Sequence, residues 1–186
     1  DIILMCADNA MHGEVAEAIL RKGIHVVLEK PLAASMQEAM RMARAAEEGH
    51  AEIVTNWPTT WSLAIRYAHE LIGKGEIGKL FKVTFRNADS LGPLSYGQQM
   101  TDVEKGYEWW YQAKAGGGAL LDYCCYGACL SRWFFGDMAV SAYGMKGKFD
   151  SYFGDAEDYA TITARYRSGV AILEGRDVLL PLLVAL

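Results

Sequence analysis

The sequence predicts an α/β protein whose first third forms a parallel, doubly wound sheet and whose remainder adds helices and a second sheet. Two observations lead there. Short apolar runs alternate with helical-period segments over residues 1–56, the β-α-β-α-β order of a parallel sheet with crossover helices. Farther on, Tyr159 to Tyr166 and Val170 to Glu174, joined by Arg167-Ser168-Gly169, read as a hairpin. With Ala139 to Met145 and Leu80 to Arg86 they make at least four sheet strands.

Taken in order, Asp1 to Ala7 reads as a buried strand, Asn9 as the cap of the following helix, and Val15, Ala18 and Ile19 as its apolar spacing, with Gly23 as the stop. Ile24 to Leu28 is the second strand and Glu29-Lys30-Pro31 its turn. Ser35 and Glu38 form a capping box for a helix running to Glu48, Gly49 ends it, and Glu52 to Thr55 is the third strand. Trp57-Pro58 marks a domain switch, because proline halts the strand pattern, so the expected units are 1–56 and 57–186. Thr59 or Thr60 caps the next helix, whose stripe of Trp61, Ala64, Ile65, Ala68, Leu71 and Ile72 ends at Gly73. Leu80 to Arg86 alternates as a half-exposed strand. Ala88 to Ala115, rich in Gly, Tyr and Trp, reads as a long loop walling a pocket. Gly116-Gly117-Gly118 then opens a helix through Asp122 and Tyr126 to Phe135, closed by Gly136.

Composition excludes several classes. With 186 residues, 52% of them apolar, and a net charge of −5, the chain has material for a sizeable core and no basic stripe for a nucleic-acid backbone. No run reaches the roughly 18 apolar residues of a membrane span, and Val178 to Leu186 is too short. Cys6, Cys124, Cys125 and Cys129 read as buried thiols of a reducing compartment, the cytoplasm, rather than as a zinc set or disulfides, since no histidine lies nearby to complete a metal site. No signal peptide is read.

Glu29-Lys30-Pro31 places a carboxylate and a cation at a strand's carboxyl end, where open α/β sheets bind ligands. As a bare string the triplet also fits a charged turn. Asp122 and Tyr126, four apart, project from one helix face near its amino terminus. On spacing alone, Asp122 completes a cap and Tyr126 packs in the core, or both face a site.

Four stretches in order resemble the glucose-fructose oxidoreductase / inositol dehydrogenase (Gfo/Idh/MocA) family: Cys6 to His12, Gly23 to Leu32, Gly75 to Leu80 and Gly116 to Asp122. The resemblance implies a Rossmann domain, of which this chain holds the C-terminal part, followed by an α+β domain built on a large, open, mostly antiparallel sheet. It implies an NAD(P)-dependent oxidoreductase moving a hydride between nicotinamide and a sugar, polyol or related cyclic alcohol. The chain carries no G-x-G-x-x-G, so the resemblance places Asp1 inside the fourth strand of the nucleotide domain and the pyrophosphate grip ahead of it. Tyr126 stands where many members carry histidine, as in the branch of glucose-fructose oxidoreductase and dihydrodiol dehydrogenase.

From these residues the expected chemistry follows. Alcohol oxidation needs a base for the hydroxyl proton, and an ammonium at Lys30 would lower the Tyr126 pKa and favour phenolate. Asp122 would orient Lys30 and keep it charged, or bind a substrate hydroxyl. Asn9 and Glu29 would lie at the nicotinamide ribose, with His12 and Trp57 as further cofactor-side residues. His12 alternatively is a cap or a packed ring, and Trp57 a filler of the domain junction. Trp109, Trp110 and Tyr111 would stack on sugar or sit in the core, and His25, His50 and His69 have no assigned role. The open sheet face would pair copies into a homo-oligomer. Arg176 to Leu186 departs from the family pattern. A non-catalytic sugar-binding or oligomerisation module is the alternative function.

Overall fold

In the computed structural model, residues 1–88, 94–95, 98–151 and 153–176 are described. The first unit is a three-stranded parallel sheet, β1 (Ile2–Met5), β2 (His25–Glu29) and β3 (Ile53–Asn56), in the order β1-β2-β3. Helices α1 (Asn9–Leu20) and α2 (Met36–Gly49) provide the crossovers. Ala16 and Leu20 of α1 and Met42 and Ala45 of α2 close with Met5, Val26 and Leu28 into one core, so both helices cover the same sheet face. That explains a departure at β1. The strand expected to be buried exposes Ile2 and Leu4 at 69% each, and only Met5 reaches the core. Among the described residues β1 pairs only with β2, and its alternate side chains point to the face that α1 and α2 leave uncovered.

Local chemistry sets the helix ends, with three corrections. The residue before α1 is Asp8, not Asn9, and the Asn9 side chain leaves the helix for a distant carbonyl. Ser35 and Glu38 do cap α2: the Glu38 N–H donates to Ser35 Oγ at 3.2 Å, and Glu38 Oε2 accepts from the Ala34 N–H. Gly49 does not end α2; His50 does, in the left-handed conformation at φ 50°. Gly49 is needed for another reason. A Cβ there would stand 1.8 Å from the Leu20 carbonyl oxygen, so glycine permits the ends of α1 and α2 to touch. The third correction concerns α3 (Leu63–Gly73), which follows Ser62 rather than Thr59 or Thr60. Those threonines lie in a 3₁₀ turn, Pro58–Trp61.

The second unit is a mixed sheet ordered β4-β9-β8-β7, built from β4 (Lys82–Ala88), β7 (Ser141–Gly147), β8 (Tyr159–Arg165) and β9 (Val170–Arg176). β8 pairs antiparallel with β7 and β9, and β4 runs parallel to β9. The stretch expected as loop holds more order than its composition suggested. It contains β5 (Leu94–Ser95), β6 (Gln98–Gln99) and a short helix α4 (Asp102–Tyr107) under a complete Thr101/Glu104 capping box. The run 177–186 lies outside the described residues.

Helix α5 (Cys125–Phe135) lies on one face of this sheet and follows directly on a π turn, Leu120–Cys124, where a single helix from the glycines was expected. Phe134 and Phe135 pack with Val83, Tyr166 and Leu173, and Tyr166 shares a 2.9 Å hydrogen bond with Ser131. The opposite face shows Tyr143, Met145 and Ile172 to solvent. Among the described residues no helix is long and apolar enough to cross a membrane, and no group of His, Cys, Asp or Glu is arranged to hold a metal ion. The four cysteines are free thiols; Cys6 is exposed, where burial was expected.

Asp158 organises the turn ahead of β8, accepting the N–H groups of Phe149, Asp150 and Ser151 at 2.8, 2.8 and 2.6 Å. Burial pushes its carboxyl up, but the backbone donors outweigh that and hold it below the ordinary 3.8. A depressed carboxyl stabilises the fold fully above its unfolded pKa and loses the contribution as pH falls through the folded value. Asp158→Asn is therefore expected to cost about 2 kcal/mol at neutral pH. Thermal unfolding of wild type and variant should converge below pH 3.8, and equal melting temperatures at pH 7 would overturn the assignment.

Candidate active site

Register places the first group. Glu29 closes β2 opposite Asn56, the last residue of β3, so two polar side chains leave the sheet at adjacent carboxyl ends. The Asn56 amide donates to Glu29 Oε1 at 2.6 Å, while its own oxygen accepts the Trp61 indole N–H at 2.9 Å. Glu29 is thereby oriented, and among the described residues its second oxygen has no hydrogen-bond partner. Asn56 had no assigned role, although the pairing of neighbouring parallel strands gave a signal for it, and Trp61, expected in the apolar stripe of the next helix, instead ends the 3₁₀ turn with its ring exposed.

Lys30 crosses to the second unit. Its ammonium forms an ion pair with the Asp122 carboxylate, 92 residues away, and also donates to the Asp122 carbonyl at 3.3 Å. Nζ stands 5.0 Å from the centroid of the Tyr126 ring, a cation–π distance, and Trp57 meets that ring edge-on at 6.4 Å. Asp122 does not serve as the helix cap. The Leu120 N–H donates instead to Glu157 Oε1 at 3.2 Å, a carboxylate from the approach to β8. Asp122 is left free for Lys30, within a π turn of the kind that recurs at functional sites.

Two residues of α1 hold the frame. His12 is 0% exposed, with Nδ1 at 2.8 Å from the Pro31 carbonyl and Nε2 at 3.0 Å from the Ala7 carbonyl. Its ring joins the end of β1 to the turn carrying Lys30. Asn9, also buried, donates to the Gly116 carbonyl at 2.8 Å and so ties the first unit to the glycine turn. Gly116 has φ 77°, and a Cβ there would stand 2.9 Å from the Asn9 Cβ, so the tie needs glycine. The Trp109-Trp110-Tyr111 run supports the same turn: the Trp110 carbonyl accepts the Gly118 N–H, and the Tyr111 ring packs on Phe153. His25 accepts the Glu52 N–H at the amino end of β2, and His69 stacks on Trp133.

Electrostatics revise one expectation. Burial pushes the Tyr126 phenol up, and although Lys30 pulls it down, the net direction is upward, so phenolate is not favoured. Burial acts to lower the Lys30 ammonium, but Asp122 outweighs it and holds Lys30 above its ordinary value. Both groups are thus protonated near neutrality, which makes the pair a proton-donating arrangement. Beside them, burial pushes the Cys125 thiol up to about 12.

The family model described as "Oxidoreductase family, NAD-binding Rossmann fold" matches residues 1–56, and that of the GFO/IDH/MocA C-terminal domain matches residues 65–173. The chain belongs to the GFO/IDH/MocA family. A curated relative, 1,5-anhydro-D-fructose reductase of Ensifer adhaerens, is 28% identical over 170 residues, 91% of this chain and 48% of that protein. Aldose-aldose oxidoreductase from Caulobacter crescentus, solved with glycerol, superposes with a TM-score of 0.80 at 22% identity, over 96% of this chain and 51% of that one. The WlbA dehydrogenase of Bordetella pertussis, solved with NADH and UDP-GlcNAcA, gives 0.81 at 19%, over 97% and 50%. These likenesses show the fold. The chain spans half or less of the length of the curated relatives it matches.

The Cys125 environment yields a chemical test of the site's burial. A thiol at about 12 holds roughly 10⁻⁴ of its population as thiolate at pH 8. Iodoacetamide at pH 8 should label exposed Cys6 and leave Cys125 unmodified by peptide mass spectrometry. Equal labelling of the two would contradict the closed arrangement.

Proposed function

We propose that this chain forms the catalytic part of an oxidoreductase that moves a hydride between a nicotinamide cofactor, NAD or NADP, and a sugar, polyol or related cyclic alcohol. The observation that carries the reading is the meeting of Lys30, Asp122 and Tyr126 across 92 residues of chain at the carboxyl end of β2. The NAD-binding description of the matched family and the sugar chemistry named for the Ensifer relative support it.

The residues fit a nicotinamide nucleotide. Glu29, fixed by Asn56, offers a carboxylate oxygen to ribose hydroxyls, and Trp57 provides an aromatic wall beside Tyr126. Such a cofactor supplies or accepts the hydride when bound. The protein handles the proton: Tyr126 donates from its hydroxyl to the substrate oxygen in the reducing direction and takes it back in the other, while the Lys30 ammonium polarises that oxygen. Asp122 holds Lys30 in place and charged. Asn9 and His12, expected beside the cofactor, serve in this reading as positioning residues, since the Asn9 amide donates to the Gly116 carbonyl and both His12 ring nitrogens lie against backbone carbonyls. We place the working units at 1–56 and 57–186, the enzyme in the cytoplasm, and the contact between copies on the exposed sheet face bearing Tyr143 and Met145.

In the full-length enzyme, Lys30→Met is expected to lower kcat by roughly 10²- to 10⁴-fold with the cofactor Kd changed less than about threefold. Unchanged turnover would overturn the assignment. His12→Ala should lower kcat about tenfold or more with little change in substrate KM, because it loosens the turn that aims Lys30. His12→Asn, whose amide N–H can replace the imidazole's contact with one of the two carbonyls, should recover part of the loss. A variant that raises KM alone would instead make His12 a binding residue.

A further inference from the structure

Beyond the Lys30–Tyr126 pair, a cavity of about 650 Å³ opens between the 3₁₀ turn Pro58–Trp61, α3 and α5. That volume suits a small-molecule ligand. One end is Trp57, the ring that meets Tyr126 edge-on, and Cys129 lies one helical turn along α5 from Tyr126. The cavity therefore begins beside the proton donor and runs away from it along the helix.

Its chemistry is one-sided. Arg66 from α3 and Arg132 from α5 both line it, and none of its lining residues is acidic, although the chain as a whole carries −5. Among the described residues neither guanidinium has a carboxylate partner. Glu70, one turn after Arg66, is held by Lys74 at 2.6 Å, and Arg132 meets only the thioether of Met138, a poor acceptor. Two guanidinium groups from different helices facing one space match the oxygens of a phosphate ester. Indoles complete the wall. Trp61 is 67% exposed yet fixed by its N–H to Asn56, and Trp133 is backed on one face by His69 at 4.2 Å. An exposed, rigid indole is a surface for stacking.

We infer that this cavity is a subsite for the phosphorylated end of the substrate, so that the reacting sugar carries a phosphate or diphosphate ester whose oxygens meet Arg66 and Arg132. The inference rests on the oxidoreductase reading for its sugar and on the cavity for its phosphate.

Calorimetric titration of the full-length protein, with nicotinamide cofactor at saturation to fill the nucleotide site, separates these. Glucose, glucose 6-phosphate and UDP are the probes. At least one phosphorylated probe should bind tenfold or more tightly than glucose and weaken as salt rises. Arg66→Gln and Arg132→Gln, both on the surface and checked for unchanged circular dichroism, should each weaken it by roughly tenfold. Preference for glucose 6-phosphate identifies a sugar monophosphate. Preference for UDP, removed by Trp61→Ala, identifies a nucleoside diphosphate sugar. If neither phosphorylated probe outcompetes glucose, or the arginine variants bind as wild type, the subsite is wrong. Turnover of Lys30→Met tests the other reading by itself: a Lys30→Met enzyme with full turnover would remove the oxidoreductase reading and leave the subsite standing.

Discussion

The ion pair between Lys30 and Asp122 joins two units that otherwise have separate cores. Lys30 comes from the turn after β2 and Asp122 from the π turn before α5, and both side chains are largely withdrawn from water. A pair in that setting is weak evidence for stability, because the cost of desolvating two ions offsets much of their attraction. Removing one partner is different, since it strands the other charge. The pair therefore dictates that both turns keep their places together, and the Tyr126 ring beneath the ammonium is positioned by the same constraint.

Everything around the pair reduces the freedom of those turns. The His12 ring holds the Pro31 carbonyl, Asn9 holds the Gly116 carbonyl, and Glu157 takes the helix-cap duty that would otherwise compete for Asp122. Each acts on backbone rather than on a ligand, which is how a site gains fixed geometry without spending its reactive groups. Glu29 is held by a side chain instead, Asn56, itself fixed by Trp61. The polar chain running from Glu29 through Asn56 to Trp61 also links the carboxyl end of β2 to the arginine-lined cavity.

Much of this was legible in the residues. The alternation of apolar runs gave the parallel sheet, the Ser35/Glu38 box gave the start of α2, and Arg167-Ser168-Gly169 gave the hairpin of β8 and β9, because each is a local signal written within a few residues. Family motifs brought Lys30, Asp122 and Tyr126 to one list. Other features were misjudged for equally physical reasons. Gly49 looked like a helix stop, yet its purpose is the approach of the Leu20 carbonyl, a contact no local pattern encodes. Asn9 looked like a cap and proved to be a tie to Gly116, 107 residues on. The Thr101/Glu104 box was present to be read inside the stretch assigned as loop.

What the sequence by itself determined is the order of elements, the family membership and the residue types available for proton transfer, since periodicity and capping depend on neighbours a few positions apart. Only the tertiary structure decided the protonation balance. Tyr126 was expected to be drawn toward phenolate by Lys30, but burial of the phenol outweighs that attraction, and the neighbouring Cys125 and Asp122 add to the rise. Burial and charge separation are properties of three-dimensional packing, so the sign of such a shift cannot be read from a string of residues.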